Sequence, residues 1–251
     1  MTSAFLVFAN LWLLARLICL FRDEAAAPRV WQAKTAGELV ILVSLYPLSG
    51  AWLGAAATVV GLNFAAYRIE QRAGRRDLAR LLLGVAGLAA WSVWFAPQLM
   101  GDFRPGMIEV FDRLKQWTAL GPLLGELGRP QSQLVILGLL LSANETNLLI
   151  RAVFDQLDLK PRVKEGGDSI DEGEFNRGRV IGLLERVLLY GFVLQVQYGA
   201  IGFVLAAKAF TRSKAIENNR AFGEYVLIGT LLSACLALLI GGAVKWLLVQ
   251  L

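Results

Sequence analysis

The chain has 251 residues, 56% of them hydrophobic and only 18% charged, with mean hydropathy +0.55 and a formal net charge of +5. An ordinary soluble domain carries about 25% charged residues, so this composition excludes one and points to a lipid environment. There is no histidine, which removes the commonest proton shuttle and metal ligand.

Residues 3–21 form the first expected span. No basic start or small-residue cleavage site accompanies it, so it reads as a transmembrane helix and not a signal peptide. Residues 38–68 are too long for one ordinary helix, at roughly 46 Å by helical rise. Pro47 and Gly50 lie near the middle of that run. Proline removes a helix hydrogen bond and clashes with the preceding turn, so a tight hairpin of two short spans is expected, with a single kinked, tilted helix as the alternative. Residues 79–98 form the next span, ended by Pro97.

Residues 101–130 form an outer loop. Within it Met107, Val110, Phe111, Leu114 and Trp117 recur at helical spacing, which predicts an amphipathic helix lying on the outer leaflet. Residues 131–154 form a further span. Residues 157–178 are a polar cytoplasmic linker, and the acidic stretch 165–174 lacks the ligand spacing of a calcium loop. Residues 179–212 are again too long for one helix, and the polar centre at Gln195, Gln197 and Gly199 predicts a second hairpin. Residues 222–250 form the last span.

The expected fold class is therefore all-α: a polytopic transmembrane helical bundle of about eight membrane segments, two hairpins included. It is a single integral membrane domain over residues 1–251. The parts 1–100 and 131–251 share the order span, hairpin, span, an arrangement also found in transporter repeats.

Lysine and arginine set the direction. With both termini outside, the inner loops hold Arg22, Arg29 and Lys34, then Arg68, Arg72, Arg75, Arg76 and Arg80. They also hold Lys160, Arg162, Lys164 and Arg177, then Arg212, Lys214 and Arg220. The hairpin tips hold none. Trp52, Trp91, Trp94 and Trp246 fall near the expected outer interface. Because the basic residues sit between apolar runs, they read as topology signal, and no nucleic-acid partner is expected.

Charges inside the spans are costly, on the order of 2.5–3.5 kcal/mol each on insertion scales. Asn144, Asn147 and Arg151 share one helix face by the i, i+3, i+7 rule. Glu145 accompanies them. Glu185 and Arg186 in the next span, Lys208, and Glu224 at the start of the last span are expected at the same depth, in the inner half of the bilayer. Such groups pair with one another or line water. They mark either a solute or ion pathway or a polar lock between helices. Arg16 has no local partner in the sequence and is expected to reach the inner interface along its own stem. Cys19 and Cys235 read as small buried hydrophobes. Gly50-xxx-Gly54, Ala57-xxx-Gly61 and Gly229-xxx-Ser233 are small-residue patterns that permit close helix packing.

The segments Gly178 to Arg186, Gln197 to Phe203, Ala206 to Lys208 and Glu224 to Ser233, with Asn147 to Arg151, form a recurring pattern. Over residues 143–233 this resembles an uncharacterised family of bacterial multipass inner-membrane proteins of unknown function. The resemblance implies a bacterial inner-membrane location and a family pattern that includes the charged positions above.

No phosphate-binding glycine loop, HExxH motif or nucleophile elbow is present, so no cofactor or metal is expected. The leading expectation is a pore or transport component for a small ion or solute. The alternatives are a non-catalytic scaffold subunit and an intramembrane enzyme acting on a lipid-soluble substrate. The lipid bilayer is the expected partner, together with further copies of the chain or another membrane subunit.

Overall fold

The computed structural model describes residues 3–20, 25–72, 76–100, 102–157, 159, 172–218 and 220–251. Among these the regular elements are all helical. The inner-loop charges Arg22, Arg75, Lys160, Arg162 and Lys164, and most of the acidic stretch 165–174, lie outside the described residues, as do the side chains of Cys19, Arg212, Lys214 and Arg220.

Prolines mark where helices begin. Pro28 opens α2 (Pro28–Leu45), Pro105 opens α5 (Pro105–Trp117) and Pro130 opens α7 (Pro130–Leu140). At the first helical position a missing N–H costs nothing, because that donor has no partner within the helix. The short helix α1 (Ser3–Arg16) precedes them, and α3 (Gly50–Arg72) and α4 (Arg76–Trp94) follow α2. A short helix α6 (Gly121–Leu127), which the sequence pattern did not indicate, follows α5. Beyond α7 come a π-helical turn (Leu141–Glu145) and α8 (Thr146–Gln156). Then come α9 (Glu172–Leu194), α10 (Tyr198–Asn218) and α11 (Arg220–Gln250).

Among the described residues four helices are long and apolar enough to cross a membrane: Gly50–Arg72, Arg76–Trp94, Pro130–Gln156 and Gly223–Gln250. Ser3–Arg16 and Tyr198–Thr211 are shorter apolar helices. Both expected helix breaks are present, but their arms are longer than two short spans. The first hairpin begins at Pro28, well before Glu38, so its first arm carries Arg29, Lys34 and Glu38. Those charges lower its hydropathy.

The chain divides into two compact units, residues 1–140 with 251 and residues 141–250. In the first unit α3 packs along α2 and α4, and α1 packs along α7. Its core is aromatic. Phe8 meets Trp91 edge-on at 4.9 Å, and Tyr46 meets Phe95 at 4.8 Å and Phe103 at 5.5 Å between ring centroids. Tyr46 caps the end that Pro47 imposes on α2, and its hydroxyl donates to the Ala4 carbonyl at 2.8 Å. Ser49 then starts α3 by accepting the Trp52 N–H at 3.2 Å on its hydroxyl.

Trp91 and Trp94 serve the packing of the helices. Trp91 is fully buried, and Trp94 donates to Thr58 Oγ1 at 2.9 Å across the α3–α4 contact. Trp94 covers Gly54 so closely that a Cβ there would lie 2.2 Å from the indole, which accounts for the glycine. Gly50 and Gly61 face open space, so the two other glycines of the α3 small-residue patterns do not serve close packing.

In the second unit α9 and α11 pack against each other over the greatest length, and α8 and α10 also rest on α11. A Cβ at Gly229 would lie 2.8 Å from Phe154, so the α8–α11 approach requires that glycine. Cys235 on α11 is exposed, not buried as expected, because it points away from the α9 seam lined by Ala234 and Ala237. The second hairpin turns through Val196 at φ 60°, and Gly199 is already inside α10. The Gln197 N–H returns to the Phe192 carbonyl at 2.8 Å, which closes a Schellman cap. Valine stands where such a cap favours glycine. No sequence rule points to it.

Candidate functional site

The site forms on the π-turn. An α-helix widened by one residue at Leu141–Glu145 loses its regular i to i−4 register, and such turns are common at functional positions. Ser142, Asn144, Glu145 and Asn147 are all buried here, close to the midpoint of the apolar Pro130–Gln156 helix. Arg186 approaches from α9 and is 3% exposed. Its Nε donates to the Ser142 carbonyl at 3.1 Å, one Nη to Asn147 Oδ1 at 3.4 Å and the other to Ser233 Oγ at 3.5 Å. Three helices, α8, α9 and α11, thus converge with the π-turn on one guanidinium. Asn144 Nδ2 donates to Glu145 Oε1 at 2.8 Å.

Two atoms of this group are buried without a hydrogen-bond partner, Ser142 Oγ and Asn144 Oδ1. Buried polar atoms are nearly always satisfied, so each such atom needs a physical reason. The hydrogen-bond acceptors of the guanidinium are all neutral. The first of these bonds is firm and the other two are near the limit of reach.

The structure separates residues that the sequence places at one depth. Asn144, Glu145, Asn147 and Arg186 come together. Glu185 forms its own ion pair with Lys208 of α10, the two side chains being 15% and 16% exposed. Successive helical residues point about 100° apart by the 3.6-residue turn, so Glu185 and Arg186 serve different neighbours. Glu224 lies exposed in the first turns of α11 and is not a partner of Arg186. Arg151 is half-buried further along α8 and makes no hydrogen bond with Arg186. Ser142 and Ser233 belong to the group, and the sequence offered only a small-residue pattern for Ser233.

Sequence reading also missed two buried polar networks in the first unit. In one, Lys34 pairs with Glu38, Lys34 Nζ donates to Asn63 Oδ1 at 2.7 Å, and Asn63 Nδ2 donates to Glu38 Oε2 at 2.5 Å. The Lys34 ammonium also lies 5.9 Å and 5.7 Å from the Trp12 and Trp31 ring centroids. The i, i+4 spacing of Lys34 and Glu38 was the available signal. In the other network, Arg80 Nε pairs with Glu70 Oε1 at 2.6 Å and Arg80 reaches Asp77 Oδ1 at 3.4 Å. Glu70 Oε2 accepts the Ala26 N–H at 3.0 Å. Arg16 does not reach out along its stem. It is buried, donates to the Arg80 carbonyl at 2.8 Å and lies over the Trp12 ring at 4.9 Å. Lys34 and Arg80 are therefore not loop charges, because each has a carboxylate waiting on a neighbouring turn or helix.

Among the described residues no group of histidine, cysteine, aspartate and glutamate is arranged to hold a metal ion. No family profile, curated protein or solved structure matches the chain.

Proposed function

We propose that the chain is a pore or transport component for a small ion or solute in the bacterial inner membrane, with both termini on the outer side. The Arg186 group is its binding or gating site. The observation that carries this reading is the buried Arg186 guanidinium held against a π-turn that carries two buried polar atoms with no hydrogen-bond partner. A purely structural polar lock has no use for unsatisfied atoms, whereas a site that takes up a ligand or water does. The Lys34–Glu38–Asn63 network is different. Its groups satisfy one another, and it serves to hold α2 and α3 together.

The runner-up is a scaffold subunit of a larger membrane complex, and those closed networks favour it. Flux measurements separate the two. Full-length protein in sealed vesicles is expected to pass small ions across the membrane. Arg186→Met and Glu145→Gln are expected to lower that flux while the helical circular-dichroism signal is retained. A native protein that inserts fully yet passes no ion or small solute, and that co-purifies with a fixed membrane partner, overturns the transport reading in favour of the scaffold.

A further inference from the structure

We infer that Arg186 anchors a binding site for a small monovalent anion, of the size of a halide or formate. The inference deepens the transport reading and rests on it for the role of the anion as cargo or gate.

The argument begins with charge. Arg186 is 3% exposed, and its partners are a carbonyl, an amide and a hydroxyl. Among the described residues no carboxylate lies within ion-pair distance of it. Glu185, its neighbour in sequence, is taken by Lys208, and the Glu145 carboxylate accepts from Asn144. A guanidinium keeps its charge at neutral pH, so burial leaves it in need of an anionic or strongly accepting partner. Buried charges are otherwise paired, because neutral acceptors do not repay the lost hydration.

The donors around it suit an anion. A guanidinium has five N–H groups, and Arg186 uses all three of its nitrogens, two of them in bonds of 3.4 and 3.5 Å that a better acceptor would displace. Ser142 presents the carbonyl that Arg186 holds, and its own hydroxyl is buried with no partner. That hydroxyl is a donor as well as an acceptor. The Ser233 hydroxyl is a second rotatable donor within reach of the same guanidinium. A single guanidinium whose hydrogen-bond acceptors are all neutral suits a ligand of one negative charge.

The test uses the full-length protein in detergent, exchanged from sodium gluconate into sodium chloride, bromide or formate at constant ionic strength. Its melting temperature is expected to rise saturably with each small anion and not with bulky gluconate. Arg186→Met is expected to abolish that response. Ser142→Ala keeps the charge and the fold, and is expected to raise the half-saturating anion concentration by about tenfold or more, as the loss of a hydrogen bond to a charged group implies. A melting temperature equal in all four salts overturns the inference, and so does a rise that Ser142→Ala and Arg186→Lys share unchanged with the native protein. Saturable anion binding without vesicle flux leaves the site standing and removes the transport reading. Ion flux that ignores the anion present does the reverse.

Discussion

Replacing Glu70 by glutamine tests whether the charges of the first unit are locked in a buried network. The substitution keeps shape and one acceptor but removes the negative charge opposite Arg80. Both side chains of the pair are nearly inaccessible, at 2% and 3%, and the nitrogen–oxygen distance is 2.6 Å. At an effective dielectric constant near 20, that separation corresponds to about 6 kcal/mol of gross attraction. Asp77, 3.4 Å from the other end of the guanidinium, remains and offsets part of the loss. Measured losses on breaking one partner of a buried pair run at about 3–5 kcal/mol, which is the expected cost of Glu70→Gln. Removing the stranded cation as well should recover part of that stability, because methionine fills the space of Arg80 without a charge and only Asp77, at the long distance of 3.4 Å, then loses it as a partner. The side-chain carbonyl of the introduced glutamine can still accept the Ala26 N–H. Reversible unfolding in mixed micelles is therefore expected to rank native above the double variant Glu70→Gln/Arg80→Met, and the double variant above Glu70→Gln alone. A single-variant cost below about 1 kcal/mol, the range of exposed pairs, refutes the claim that this network is dry. A double variant no better than the single refutes the claim that the stranded charge is what costs.

Gly54→Ala places a methyl 2.2 Å from the Trp94 indole and is expected to destabilise by about 1–3 kcal/mol through overpacking. Gly61→Ala on the same helix meets nothing and should be neutral or stabilise by up to ~1 kcal/mol, as alanine is the better helix former; equal effects at the two sites would contradict the α3–α4 packing. Val196→Gly removes a side chain from a left-handed turn, where a β-carbon costs about 1–2 kcal/mol, so unfolding measurements are expected to show this variant as more stable than native. Loss of stability there would mean that the half-exposed valine side chain contributes more by packing than the backbone strain costs.

Where most of the long helices run and where the two hairpins break was legible from the residues in order, although α6 and the early start of α2 at Pro28 were not. Apolar run length, Pro47 and the polar centre between Gln195 and Gly199 are local signals, and secondary structure obeys them because backbone hydrogen bonds in a helix close within four residues. Asn144, Glu145, Asn147 and Arg186 also stood out, since a polar group in an apolar run is conspicuous wherever its partner lies. Who meets whom emerged only from the packed helices. Ser142 and Arg186 are 44 positions apart, and the π-turn at Leu141–Glu145 presents the Ser142 carbonyl that the guanidinium reaches. Glu185 and Arg186 are adjacent in the chain, yet the helical rotation between them sends one to α10 and the other to the π-turn. Lys34 and Arg80 look like loop charges in sequence because positive charge between apolar runs usually is; the i, i+4 spacing hints at Glu38, but the folded positions of Glu38 and Glu70 reveal both as buried partners. Helix formation is written in short-range periodicity. Charge pairing depends on distances across the packed helices, which no local pattern encodes.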